Sequence, residues 1–275
     1  MKSKTVFTLL YLGLIGAFSL TTSCSKKSNE VVEQPVPKST EPAFQLEWTD
    51  DFSGNQLNLT DWTHRLQGVW RSAFNDATTV SVANDNLIIQ PYTDQQPDGS
   101  LRHHSAEVAT KREFLYGRFE AKIAMVNQPA SWSAFWVQSS TMGNPVGNPK
   151  LAGMEMDIIE SLPNDGRAHH TVHWDGYGTD HKQKGIITED VGANSGNYHI
   201  YAMEWTPDYY KFFVDGKLTW TYTDNVSQKK EYIILSTEIQ DNYWTGNIPP
   251  GGYGAKGQGK TIMKIDYVKY YALKK

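Results

Sequence analysis

The heptapeptide Met154-Glu155-Met156-Asp157-Ile158-Ile159-Glu160 (MEMDIIE) alternates apolar and acidic residues like a half-buried strand until its last residue. Successive strand side chains point to opposite faces, so Glu155, Asp157 and Ile159 share one face and Glu160 falls on the other. Burying one unpaired carboxylate is costly, and gathering three adds like-charge repulsion. A purely structural strand would avoid that composition. It points instead to a groove that exploits shifted pKa values. A β-bulge at Ile158-Ile159 would accommodate the surplus residue and return Glu160 to the face of Glu155 and Asp157, and bulges are over-represented beside active sites.

The surrounding sequence is built from short β-rich runs divided by turn formers. They include YGRFEAKIAMV, SAFWVQSS, HHTVHWDGYG, YHIYAMEWT, YYKFFVDGKLTWTYT, EYIILSTEIQ and TIMKIDYVKYYAL. Helical periodicity is almost absent, so the chain reads as an all-β sandwich or barrel. Asp215-Gly216 supplies the positive φ angles of a two-residue hairpin turn. Alternation along that hairpin makes Phe212, Val214, Leu218 and Trp220 candidates for packing, with Trp205 a further core residue. Val226 to Lys230 reads as a short turn or helix.

The chain has 275 residues and a formal net charge of −4, with no basic cluster that would hold nucleic acid. Lys2 and Lys4 followed by the apolar run Val6 to Leu20 read as an export signal spanning residues 1–23, too short for a confident membrane span. Cys24 is the single cysteine and cannot form an internal disulfide. The small residues before it resemble a bacterial lipoprotein signal, which implies lipidation of Cys24 and anchoring at the outer membrane, on its periplasmic or surface side. The alternative is an ordinary secretory peptide with an incidental cysteine. Residues 24–43 are polar and proline-containing, as in a tether. The folded domain is expected over 44–275, as a monomer.

With the bulge, Glu155 and Glu160 are four effective steps apart, about 13 Å between backbones at roughly 3.3 Å per step. Leaning side chains bring the carboxyls closer, either to the ~5–5.5 Å of retaining glycosidases or to the ~6.5–9.5 Å of inverting ones. Carboxylates at alternate strand positions also suit calcium, although a metal site would want more ligands and leaves the offset unexplained.

The stretch Glu155 to Glu160 resembles the bulged E-x-D-x-x-E signature of glycoside hydrolase family 16, as in laminarinases, agarases and carrageenases. YGRFEAKI, WSAFWVQ, TVHWDGYG, YAMEWTPDYYKFFVDG and MKIDYVKYY extend the likeness over about Phe44 to Leu273. It implies a jelly-roll sandwich of two curved antiparallel sheets, concanavalin A-like, with a concave polysaccharide cleft. It also implies retention by double displacement without a cofactor. Glu155 would then be the nucleophile, Glu160 the acid/base and Asp157 the residue that orients the nucleophile. Asp266 matches a position associated with a structural calcium. A relative that binds glycans without cleaving them is disfavoured, because both glutamates are present.

Sugars present apolar C–H faces ringed by hydroxyls, so a cleft needs flat aromatics and polar groups. Trp132 and Trp136 share one strand face, and in the family pattern Trp136 faces the cleft with Trp132 at its entrance. Trp70 and Arg71 stand in a loop-like segment and read as cleft residues. His169, Thr171 and His173 share one face with His170 and Val172 opposite, and His173 is expected near Glu160. Trp174, with Asp175 and Tyr177, would continue the wall, while Asp180, His181 and Lys182 read as solvated. Glu238 and Trp244 would form the far edge. For an endo-acting hydrolase a β-1,3- or mixed-linkage β-glucan stands first as substrate and a β-galactan of agar, porphyran, carrageenan or host-glycan type second, with a non-catalytic surface glycan-binding lipoprotein as the third reading. The Trp70-Arg71 pair resembles the galactan-cleaving branch, and the WSAFW run is more glucanase-like.

Overall fold

A computed structural model of the protein describes residues 42–274. The expected signal, Cys24 and nearly all of the tether lie outside the described residues. Apart from one turn of α-helix, Pro149–Ala152, and a 3-10 turn, Ala77–Thr79, the regular structure described is strand.

Two sheets form. The eight-stranded sheet runs in the order Lys217–Tyr222, Tyr210–Val214, Tyr198–Trp205, Gly117–Val126, Ile262–Leu273, Leu87–Ile89, Val80–Val82, with Phe44–Asp50 beside the C-terminal strand. The ten-stranded sheet runs Lys182–Asp190, Arg167–Trp174, Glu155–Ser161, Ser131–Gln138, Tyr232–Ile239, Leu101–Thr110, Ala73–Asn75, Gly68–Trp70. Trp62–Arg65 and Tyr92–Gln95 also pair with Leu101–Thr110. Neighbours are antiparallel except Phe74 and Asn75, which pair in parallel with His104 and Ser105. The jelly-roll sandwich is therefore present, with one parallel contact that the sequence reading did not include.

Alternation on Ser131–Gln138 shows how the layers are specified. Phe135 and Val137 point into the core between the sheets, where Phe119, Met203 and Phe212 meet them from the other side. Trp132, Trp136 and Gln138 point the other way and line a cleft or touch its acids. Each large side chain taken fully from water contributes about 1.5–3 kcal/mol, so the register of this central strand is strongly determined.

Trp205 is fully buried, as expected. The 210–222 hairpin turns on Asp215 and Gly216, both at positive φ. Phe212 and Val214 are buried and Trp220 stacks on Phe212, but Leu218 is 48% exposed. A register shift pairs Phe212 with Trp220 and Phe213 with Leu218, leaving Thr219 as a surplus residue, so Leu218 loses its inward place. Residues 226–230 contain no helix.

Candidate active site

The acid strand, Glu155–Ser161, carries the expected bulge. Against Ser131–Gln138, Glu155 pairs with Gln138, Asp157 with Trp136, Ile159 with Phe135 and Glu160 with Ala134, so Ile158 is the surplus residue. Against Arg167–Trp174, Asp157 pairs with Thr171 and Glu160 with His169, two residues apart where the acid strand has three. Ile158 and Ile159 are both fully buried in the core, while the three acids emerge at alternate positions on the opposite face. Burying two isoleucines side by side offsets the break in pairing, since each contributes about 1.5–3 kcal/mol.

The acids lie in a cleft of about 770 Å³, lined also by Arg65, Trp70, Arg71, Glu107, Trp132, Trp136, His173, Tyr177, His181, Glu238, Tyr243 and Trp244. Trp132 packs edge-on against Trp244 at 5.8 Å and beside Tyr243 at 6.1 Å, a continuous aromatic wall. Glu238, in register with Trp132, accepts from Trp70 Nε1 at 3.1 Å and from Arg71 Nε. The Arg71 guanidinium lies over Trp132, 5.0 Å from the ring centre. Trp70, Arg71, Trp132, Trp136, Glu238 and Trp244, widely separated in the chain, are thus brought together as the sequence suggested.

Around Glu155 the polar contacts are dense. Gln138 Nε2 donates to Oε2 at 2.6 Å, and the Tyr177 hydroxyl donates to the same oxygen. Gln138 is held in that orientation because its Oε1 accepts from Arg65 at 2.8 Å and from Tyr232 at 2.9 Å. Arg65 in turn pairs with the buried Glu107 at 2.6 Å and lies over Trp136. The Glu155 oxygen left over, Oε1, has His173 Nε2 3.9 Å away. Asp157 lies 3.1 Å from the same His173 nitrogen, and among the described contacts no hydrogen bond joins it to Glu155. The orienting donors on Glu155 are Gln138 and Tyr177.

Electrostatics separate the two glutamates. Burial raises the pKa of Glu155 to about 8, and the charge of Asp157 adds to this, while His173 and the Tyr177 hydrogen bond pull it back. Glu160 is pushed well up by burial, then by Asp157, Glu155 and Glu238, with Arg71 the opposing charge named for it. Two acids that share a site and differ in nearby donors divide their protons unequally. Glu155, with donors on one oxygen, ionises first and Glu160 keeps its proton. Burial lowers the pKa of His173, but its hydrogen bond to Asp157 and the charges of Asp157 and Glu155 outweigh this and raise it.

Several expectations require correction. His173 stands opposite Glu155 and pairs with Asp157; the histidine opposite Glu160 is His169. Trp174 does not line the cleft. Strand alternation turns it to the inner face, where it packs against the core near Tyr222. His181 is not solvated but folds back to hydrogen-bond His173, its Nε2 2.9 Å from His173 Nδ1 with the two rings nearly coplanar. Lys182 pairs with the buried Asp175 at 2.6 Å, which makes Asp175 a loop anchor rather than wall. Asp266 is paired with Lys122, and no group of three acidic, histidine or cysteine side chains gathers there among the described residues. An ammonium already neutralises the carboxylate, so these residues do not fit a calcium cage, which needs six to eight oxygens.

Arg65, Glu107 and Gln138 were missed. Gln138 was legible, because it continues the alternation of Trp132 and Trp136, and Glu107 is an acid within the apolar run AEVA. Nothing local distinguished Arg65.

The fold and chain have known relatives. A keratan-sulfate endo-1,4-beta-galactosidase from Sphingobacterium multivorum is 23% identical over 298 residues, covering 98% of this chain and 68% of that protein. The structure of an endo-beta-1,3-glucanase from Pyrococcus furiosus superimposes with a TM-score of 0.68 at 26% identity, covering 84% of this chain and 95% of that one. Porphyranase B from Zobellia galactanivorans superimposes with a TM-score of 0.69 at 19% identity, covering 88% of this chain and 98% of that one. Residues 63–269 match the family described as Glycosyl hydrolases family 16, and the chain belongs to that family.

Proposed function

We propose that the protein is a retaining endo-β-glycan hydrolase in which Glu155 is the nucleophile, Glu160 the acid/base and Asp157 an assisting charge. The observation that carries the assignment is the register shift at Ile158, which gives the three acids one face. With Oε2 engaged by Gln138 and Tyr177, Oε1 of Glu155 is the oxygen free to attack the anomeric carbon. As that bond forms, the glycosidic C–O bond breaks and Glu160 protonates the departing oxygen, leaving a glycosyl ester on Glu155. Glu160, now ionised, takes a proton from water, whose oxygen attacks the same carbon and displaces Glu155. Asp157 and His173 hold a compensating charge pair beside the nucleophile.

The cleft favours an uncharged chain. Arg65 and Arg71 are the only Lys or Arg side chains among the residues lining it, and each is paired with a carboxylate, Glu107 and Glu238. A sulfate or uronate near the acids would find no unpaired Lys or Arg among the lining residues. A neutral β-glucan, 1,3- or mixed-linkage, is therefore the first substrate class, in keeping with the glucanase neighbour. An unsulfated β-galactan stretch is the second, favoured by the likeness, over 98% of this chain and 68% of that protein, to the keratan-sulfate endo-1,4-beta-galactosidase. Lipidation of Cys24 would hold the enzyme at the outer membrane. Reducing-sugar release from laminarin, mixed-linkage glucan, agarose, carrageenan and desulfated keratan sulfate tests the proposal. Retention of one glycan in an affinity gel with no cleavage of any would replace it with a glycan-binding role.

A further inference from the structure

His170 lies outside the cleft, fully buried on the inner face of the ten-stranded sheet, and the reaction above does not use it. Its Nδ1 is 2.7 Å from the carbonyl oxygen of Ile158, the surplus residue of the acid-strand bulge, which has no Cα partner on either neighbouring strand. Its Nε2 is 2.9 Å from Oγ1 of Thr219, the surplus residue of the other bulge, in the hairpin of the opposite sheet. The ring rests on Phe212 of that hairpin, 5.2 Å between ring centres. One side chain thus joins two irregular positions across the sandwich. Each bulge leaves a backbone unit outside the regular ladder, and a buried polar group without a partner is costly. Burial lowers the His170 pKa to about 4, so the ring is neutral at ordinary pH. Nδ1, facing a carbonyl, then carries the proton, and the Thr219 hydroxyl shares its single hydrogen between Nε2 and the carbonyl oxygen of Phe212, each 2.9 Å away.

We propose that His170 is a positioning residue that ties the acid-strand bulge to the hairpin bulge of the opposite sheet and thereby sets where Glu160 stands relative to Glu155. The inference rests on the reading of Glu160 as acid/base. Glu160 follows the bulge by two residues, and Glu155 precedes it on regularly paired strand. Slack at Ile158 therefore displaces the proton donor more than the nucleophile.

Three variants test this. His170→Phe keeps a flat ring and removes both hydrogen bonds. His170→Asn places an amide nitrogen close to the position of Nδ1 and retains the donor to Ile158. Thr219→Val cuts the other end. Each is assayed on the polysaccharide that the wild type cleaves and on the matching dinitrophenyl β-glycoside, whose leaving group needs no proton and whose first-turnover burst reports attack by Glu155. His170→Phe should lower kcat on the polysaccharide about a hundredfold and the burst rate less than about threefold. His170→Asn should recover most of the loss, and Thr219→Val should show the same split to a smaller degree. Equal losses on both substrates, or an Asn variant as impaired as the Phe variant, would overturn the positioning role. Should His170→Phe not fold, the split in Thr219→Val decides. If the wild type cleaves no glycan, the function falls first. The tie itself is then judged by thermal unfolding, where non-additive midpoint losses for His170→Phe and Thr219→Val support it and additive ones refute it.

Discussion

Deleting Ile158 tests the register directly. Without that residue the strand reads Glu155-Met-Asp157-Ile-Glu160 in wild-type numbering, and every remaining residue meets the neighbour it has now: Asp157 opposite Trp136, Ile159 opposite Phe135, Glu160 opposite Ala134. The acids stay on one face. The cost falls on stability, because a fully buried isoleucine is lost and the His170 Nδ1–H loses its acceptor. Removing the side chain costs about 2–3 kcal/mol and orphaning the donor about 1–3 kcal/mol, together roughly 3–6 kcal/mol. For a domain of this size each kcal/mol lowers the midpoint by about 2–4 °C, so a fall of roughly 6–24 °C is expected in thermal unfolding followed by circular dichroism. Activity on the wild-type substrate should persist, reduced by about ten- to a hundredfold because the carboxyl of Glu160 is re-aimed. A deletion variant with native near-ultraviolet dichroism and no detectable turnover would refute the register argument.

Glu155→Ala should abolish turnover and leave glycan retention in an affinity gel intact, and azide should restore some activity with inverted product; absence of rescue would move the nucleophile elsewhere. Tyr177→Phe removes a donor that lowers the Glu155 pKa, so the acidic limb of the kcat/KM profile should shift to higher pH, with a loss of about tenfold from one charge-assisted hydrogen bond. An unmoved limb would show that Tyr177 does not touch the nucleophile in solution. His170 is held neutral with its pKa lowered to about 4 by burial, with the Ile158 carbonyl opposing and His169 adding to the fall, while the unfolded chain protonates near the ordinary histidine value of about 6.5. The unfolded state therefore binds more protons at this residue between those two values, and the contribution of His170 to stability falls as pH drops through that window, by on the order of 3 kcal/mol, opposite in sign to that of the buried carboxyls whose pKa values are raised. The difference in denaturant-derived stability between wild type and His170→Phe should change by this amount across the window; a difference that does not vary with pH would refute it.

What the sequence alone determined was the chemistry and its layer. A three-acid strand with one surplus apolar residue has few physical solutions, because side-chain period two leaves Glu160 stranded unless a bulge returns it. The same alternation placed Trp132 and Trp136 correctly and separated His173 from His170. It failed where a partner from another strand decides the outcome. Trp174 is a different case: its own strand's alternation, with His170 and Val172, turns it to the core, and the aromatic character of the WDGYG run concealed this. His181 is recruited by a hydrogen bond to His173 of the adjoining strand, a contact that no local pattern announces. Arg65, far from the acids in the chain, reaches Glu155 only through Gln138. The pairing of Arg71 with Glu238 joins residues 167 positions apart. Leu218 was misplaced because the Thr219 bulge is set by packing against the opposite sheet, where His170 awaits the hydroxyl. Local periodicity records which face a side chain takes; which distant groups share that face depends on strand order and register, which only the assembled sandwich supplies.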